Sequence, residues 1–107
     1  MREIDPRSLA ERLAAGRPTL LVDVRERWEH ALASLPASVL VPLGELPARA
    51  HEIEPAADAL VVTYCHHGVR SLQAARVLAG AGLANVVSLA GGIDAWSRLI
   101  DAGVPRY

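Results

Sequence analysis

Lysine is missing from these 107 residues, and so is phenylalanine. Cysteine occurs once. Each absence excludes something. Without lysine, any anion held by a side-chain cation is held by arginine, with its planar donor fork. Without phenylalanine, the core must come from Leu, Val, Ile and Ala, which are plentiful enough to bring the hydrophobic fraction to 51%. That fraction excludes a disordered chain, which needs low hydrophobicity and high net charge. With one cysteine no intramolecular disulfide can form. No apolar run approaches the roughly 18 residues that span a bilayer. The first residues, Met1 to Pro6, contain no apolar stretch of the signal-peptide kind. The net charge of -1 gives no general attraction to nucleic acid or to an anionic membrane. The expectation is one domain over residues 1–107, located in the cytoplasm.

Strand-like and helix-like runs alternate along the chain, without repeats or linkers. Asp5-Pro6 reads as a helix cap followed by proline in the first turn, and Gly16 can end that helix. Thr19 to Val24, Val39 to Val41, Ala59 to Tyr64 and Val86 to Leu89 read as buried strands. Leu43, Leu46, Ala50 and Ile53 fall at helical spacing. A further helix is predicted from Ser71, with Ala74, Val77, Leu78 and Ala81 inward and Gly82 at its end. Gly91-Gly92 opens a last helix, with Ile93, Trp96 and Ile100 on one face. Such alternation implies a parallel α/β sheet covered on both faces. Ligands then bind beyond the carboxyl ends of the strands, where Cys65 follows Tyr64.

The segment Cys65-His66-His67-Gly68-Val69-Arg70-Ser71 carries the chemistry. If it curls into a cradle, the backbone N–H groups of His66 through Arg70 point at the Cys65 sulfur, and the following helix adds its positive end. Both favour the thiolate, which is the nucleophile. Gly68 can take a positive φ. Arg70 suits an oxyanion such as thiosulfate. Ser71 can cap the helix. A persulfide on Cys65 would be held by the same groups. The bland alternative is an inert core cysteine. Position past the strand, beside two histidines and a glycine and ahead of Arg70, favours the functional reading.

Taken in order, Leu21-Val22-Asp23-Val24-Arg25-Glu26, Trp28-Glu29, Leu35-Pro36-Ala37-Ser38, Val41-Pro42-Leu43, the Tyr64–Ser71 segment and Leu89-Ala90-Gly91-Gly92-Ile93-Asp94-Ala95-Trp96 resemble the rhodanese homology domain over nearly the whole chain. The resemblance implies a three-layer α/β/α fold with a five-stranded, mostly parallel sheet in strand order 3-2-4-5-1. It implies ping-pong sulfur transfer through Cys65. A small anionic sulfur donor such as thiosulfate would react first, and cyanide or a thiol, a protein thiol included, would accept. No metal or organic cofactor is implied. His66, His67, Gly68, Val69 and Arg70 would form the cradle, with Arg70 binding the anion. Asp23, Arg25 and Ser71 would support it. Where the family usually has Gly-His-Ile-Pro-Gly-Ala, this chain has Ala33 to Ser38, a change expected at the pocket rim.

Both imidazoles of the loop are expected to face outward, leaving their backbone N–H groups to act. Asp23 and Arg25 are expected to pair structurally, Gly91-Gly92 to allow close packing, and Trp96 to lie in the core. Trp28 could cover the pocket or fill a gap. His30 and His51 are expected at the surface. Zinc is disfavoured, because one cysteine and two adjacent histidines offer no paired ligand spacing. Two rival functions remain open. A phosphatase or arsenate reductase could use a cysteine-to-arginine loop, but the related phosphatases carry one residue more than the four between Cys65 and Arg70. A non-catalytic or sulfur-carrier module could act with a partner protein.

Overall fold

Proline at the first position of the chain's first helix explains where that helix begins. The computed structural model, which describes residues 2–107, places helix α1 at Pro6–Ala14. Asp5 caps it by accepting the Ser8 N–H at 2.8 Å. The later elements are β2 (Thr19–Asp23), α2 (Arg27–Leu32), β3 (Val39–Leu40), α3 (Leu46–Arg49), β4 (Leu60–Tyr64), α4 (Val69–Gly80), β5 (Val86–Leu89) and α5 (Gly92–Leu99). A two-residue strand, β1 (Glu3–Ile4), precedes α1.

The sheet runs in the order β1-β5-β4-β2-β3, and every adjacent pair is parallel. This is the order 3-2-4-5-1 read from the opposite edge. Successive residues of β4 serve opposite faces, as strand geometry demands. Val62 packs with Leu9, Leu21, Leu89, Ile93 and Trp96. Val61 packs with Val22, Leu46, Ala74, Ala75 and Leu78. Helices α1 and α5 thus cover one face and α3 and α4 the other, giving three layers. Trp96 is a core residue, as its helical position predicts.

Two expectations need correction. Helix α4 begins at Val69 rather than Ser71, so Ser71 lies inside its first turn and caps nothing. The stretch from Leu43 to Ile53 is not one helix but the short α3 between two 3-10 turns. Strand β1 and helix α2 escape a reading by periodicity, because both are too short to show a period.

Asp23 of β2 stands level with Tyr64 of β4, so both strands end at the same edge. Cys65 is the first residue past that edge. No helix of the described residues is long and apolar enough to cross a membrane.

Candidate active site

Cys65 is 1% exposed, and its Sγ lies within a turn of backbone. The N–H groups of Gly68 and Ser71 donate to it at 3.1 and 3.3 Å. The inward donors are therefore two, one of them Ser71, rather than the run from His66 to Arg70. Gly68 sits at φ 106°, which lets the chain reverse into α4. Ser71 Oγ lies 3.4 Å from Sγ and 2.7 Å from Ser88 Oγ. When Cys65 is a thiolate, Ser71 can donate to sulfur and accept from Ser88. Thr63 Oγ1 donates to the Ser71 carbonyl at 2.7 Å and pins this first helical turn to β4. Ser88 is fully buried and carries no motif, so nothing local in the sequence marks it.

Helix α5 holds the loop from outside. The N–H groups of Ile93 and Asp94 donate to the carbonyls of Cys65 and His66 at 2.8 and 3.1 Å. A planar trans peptide points its C=O and N–H in opposite directions. Tying these carbonyls to α5 therefore turns the N–H groups of His66 and His67 away from it. Gly92 makes the approach possible, because a Cβ there would run into the same two carbonyl oxygens.

Arg70 departs from its expected place. It does not reach toward the sulfur but forms a two-pronged ion pair with Glu29, Nη1 to Oε1 at 2.7 Å and Nη2 to Oε2 at 2.9 Å. Glu29 belongs to the capping box of α2 and also accepts the Glu26 N–H at 3.0 Å. Tyr107 donates its hydroxyl to Glu29 Oε2 at 2.6 Å. Arg70 first, with Tyr107 and Glu26 adding to it, holds the Glu29 carboxyl down to about 2. A depressed carboxylate stabilises the fold above its unfolded pKa, and that contribution disappears as pH falls toward the folded one. Stability is therefore expected to drop by on the order of 2 kcal/mol between about pH 5 and pH 2 through this group. The check is urea unfolding across that window beside Glu29→Gln, whose curve lacks this component. Parallel curves would show that Glu29 is not the group responsible.

Asp23 and Arg25 are both fully buried. Asp23 Oδ1 accepts from Arg25 Nε at 2.9 Å and Oδ2 from Nη2 at 2.7 Å. Arg25 also reaches the Ala33 carbonyl and the Tyr107 hydroxyl, at 2.5 and 2.8 Å. This pair touches no atom of the cysteine loop directly; Tyr107 joins it to Glu29 and hence to Arg70. His30 is half-buried and bonds Asp23 at 2.8 Å, so it is not the free surface residue expected. His51 is exposed.

The side chains of the loop differ in their surroundings. Val69 is 79% exposed and takes no part in lining the sulfur site. His67 is exposed, but His66 is not free in solvent: its ring is stacked between His67 and Tyr107, each with centroids 3.9 Å away. Burial, and then the neighbouring His67, push the His66 pKa down. Trp28 meets Tyr107 edge-on at 5.9 Å while remaining 63% exposed, so it forms part of the rim. His66, His67 and Asp94 bring possible ligand atoms within 4.8 Å of one another. They do not converge as a ligand set. Stacked imidazoles direct their in-plane lone pairs side by side, and Asp94 is engaged by Arg98 and Arg106.

The profile of the Rhodanese-like domain matches residues 5–99. A sulfurtransferase of Allochromatium vinosum is 42% identical over 98 residues, covering 92% of this chain and 90% of that protein. The adenylyltransferase and sulfurtransferase uba4 of Ogataea parapolymorpha is 33% identical over 98% of this chain, which spans only 27% of that longer protein. Among solved structures, a rhodanese-related protein of Thermoplasma volcanium superimposes with a TM-score of 0.80 at 33% identity, covering 98% and 96% of the two chains. The human single-domain sulfurtransferase TSTD1 does so with a TM-score of 0.80 at 28% identity, over 92% and 97%. A cysteine cradled at the carboxyl edge of a five-stranded parallel sheet thus stands in a chain that belongs to the rhodanese-like family of sulfurtransferases.

Proposed function

We propose that Cys65 carries sulfane sulfur as a persulfide, taking it from a small anionic donor, for which thiosulfate is the test case, and passing it to cyanide or a thiol. In the first step the Cys65 thiolate attacks the outer sulfur of the donor. The donor's S–S bond breaks, its electron pair leaves with sulfite, and Cys65–S–S⁻ remains. In the second step the acceptor attacks the outer sulfur and the thiolate is restored. The observation that carries this reading is the sulfur's setting, with two backbone N–H donors and a hydroxyl around one Sγ. Those donors strengthen as charge gathers on sulfur, whether on the thiolate or on the persulfide's outer atom.

With Cys65 1% exposed, a donor meets it through its terminal sulfur alone. That geometry does not favour a phosphoryl group, and the two acids beside the loop, Glu29 and Asp94, are both tied to arginines. The sulfur-carrier reading keeps one observation of its own: Val69 presents a bare apolar surface beside the cradle, where a partner protein could seat.

The test is intact mass after brief exposure to thiosulfate, with Cys65→Ala alongside. One added sulfur atom on the wild type only, removed by cyanide, is the expected result. An equal gain on Cys65→Ala, or no gain from any sulfane donor, would sink the assignment.

A further inference from the structure

The Glu29–Arg70 pair has a chemical meaning for the donor. Thiosulfate shares its two charges between the terminal sulfur and the sulfonate oxygens, so about one full charge lies at the far end from the sulfur that is transferred. To bind it well, the loop must offer a cation at its rim, beyond the N–H groups that surround Sγ. Arg70 is the arginine of the loop, and Glu29 takes one N–H from each of its terminal nitrogens and neutralises its charge. The carboxylate is itself fixed from four directions, by Arg70 twice, by Tyr107 and by the Glu26 N–H. Its side chain is only 4% exposed. Arg70 cannot turn to a sulfonate without leaving a nearly buried carboxylate short of its main partner. At Arg70, the position next to the sulfur's cradle, the rim presents a neutral ion pair where an incoming dianion needs positive charge.

A persulfide, R–S–SH, poses a different demand. Its transferable sulfur is terminal, and it brings no fixed charge at the far end. The N–H groups of Gly68 and Ser71 are all the polar contact its reacting sulfur needs.

We propose that Glu29 is a positioning residue for donor choice: by occupying Arg70, it biases the Cys65 site toward organic persulfides and against thiosulfate. The inference rests on the sulfurtransferase reading above. The Cys65 thiolate attacks the outer sulfur of R–S–SH, the S–S bond breaks, R–S⁻ leaves with the electron pair, and Cys65–S–SH forms. Charge and redox state balance without a further reagent.

The experiment compares thiosulfate with the persulfide of 2-mercaptoethanol, which has a neutral organic part. Glu29→Gln keeps the shape and the capping geometry but removes the charge. It is expected to raise kcat/KM for thiosulfate about tenfold, mainly through KM, as Arg70 gains a free charge. The persulfide is expected to change by less than about twofold, because it has no distal charge for Arg70 to meet. Adding Arg70→Met to Glu29→Gln is expected to erase the thiosulfate gain. An unchanged thiosulfate KM in folded Glu29→Gln, equal changes for both donors, or a gain that survives Arg70→Met would each overturn the inference. Should Glu29→Gln not fold, the wild type decides through salt. A masked Arg70 predicts a thiosulfate-to-persulfide ratio that stays nearly flat from low to physiological salt, and a steep fall would show an unmasked cation. Failure of both donors to load Cys65 would reject the sulfurtransferase reading itself, whereas loading by both with no Glu29 effect rejects only this inference.

Discussion

Gly92→Ala is expected to lose both stability and sulfur transfer. The added Cβ would meet the carbonyl oxygens of Cys65 and His66, which are backbone atoms and cannot swing aside. The residue also sits at φ 61°, where an L side chain is strained. Overpacking costs about 1–3 kcal/mol and the left-handed conformation about 1–2 more. The sum, about 3 kcal/mol, corresponds to a fall in Tm of roughly 15 °C for a domain of this size. Relief of the clash requires pushing the cysteine loop off α5. That breaks the Ile93 and Asp94 hydrogen bonds and turns the loop's peptides. Persulfide loading is therefore expected to fall about 100-fold or more, as misplacement of a reacting group does. Gly82 is the control: it has φ 105°, but nothing stands within 4 Å of a Cβ there. Gly82→Ala is expected to cost only about 1–2 kcal/mol and to leave loading intact. A Gly92→Ala protein that melts with the wild type would show that the loop does not rest on α5.

The second large effect is expected at Arg25. Replacing this fully buried arginine by methionine keeps much of its length but leaves the Asp23 carboxylate without its two-pronged partner. Breaking a buried pair from one side costs about 3–5 kcal/mol, because the remaining charge is uncompensated. The damage spreads along named bonds. Arg25 holds the Ala33 carbonyl after α2 and the Tyr107 hydroxyl at the site's rim. Urea unfolding of Arg25→Met, Asp23→Asn and the double variant measures this. The double variant is expected to recover most of the loss, since it removes both charges together. Additive losses would mean that the two residues act independently. Persulfide loading at low temperature is expected to persist in all three, because neither residue touches the sulfur.

What could be read from the residues in order was whatever is local in the chain. The strand before Cys65, the turn at Gly68 and the helix after it lie within a few positions, and the sequence order alone places the cysteine at the sheet edge. What could not be read was pairing at a distance. Glu29 and Arg70 are far apart in sequence, and either could have faced solvent. Ser88 looks like any strand serine until the parallel register sets β5 beside β4. Gly91-Gly92 reads as a place of close packing, but that Gly92 meets the cysteine loop appears only when α5 is laid against it. Tyr107 carries no motif, yet its hydroxyl joins the buried Asp23–Arg25 pair to the partly exposed Glu29–Arg70 pair, and its ring covers His66. Strand β1 is two residues long and is stabilised by pairing with β5, so its own sequence bears little mark of it.

The support that α5 gives the cysteine loop also bears on how the protein comes into being. Synthesis delivers Cys65 before it delivers Gly92, Ile93 and Asp94. A growing chain that has its nucleophile but not yet this helix has a thiol on an unbraced turn, with the Cys65 and His66 carbonyls free to rotate. Under the proposed function, sulfur transfer is then expected only after the last helix docks. Until then the Cys65 thiol lacks its cradle, and under the proposed function it can carry sulfur only once the sheet's second face has closed.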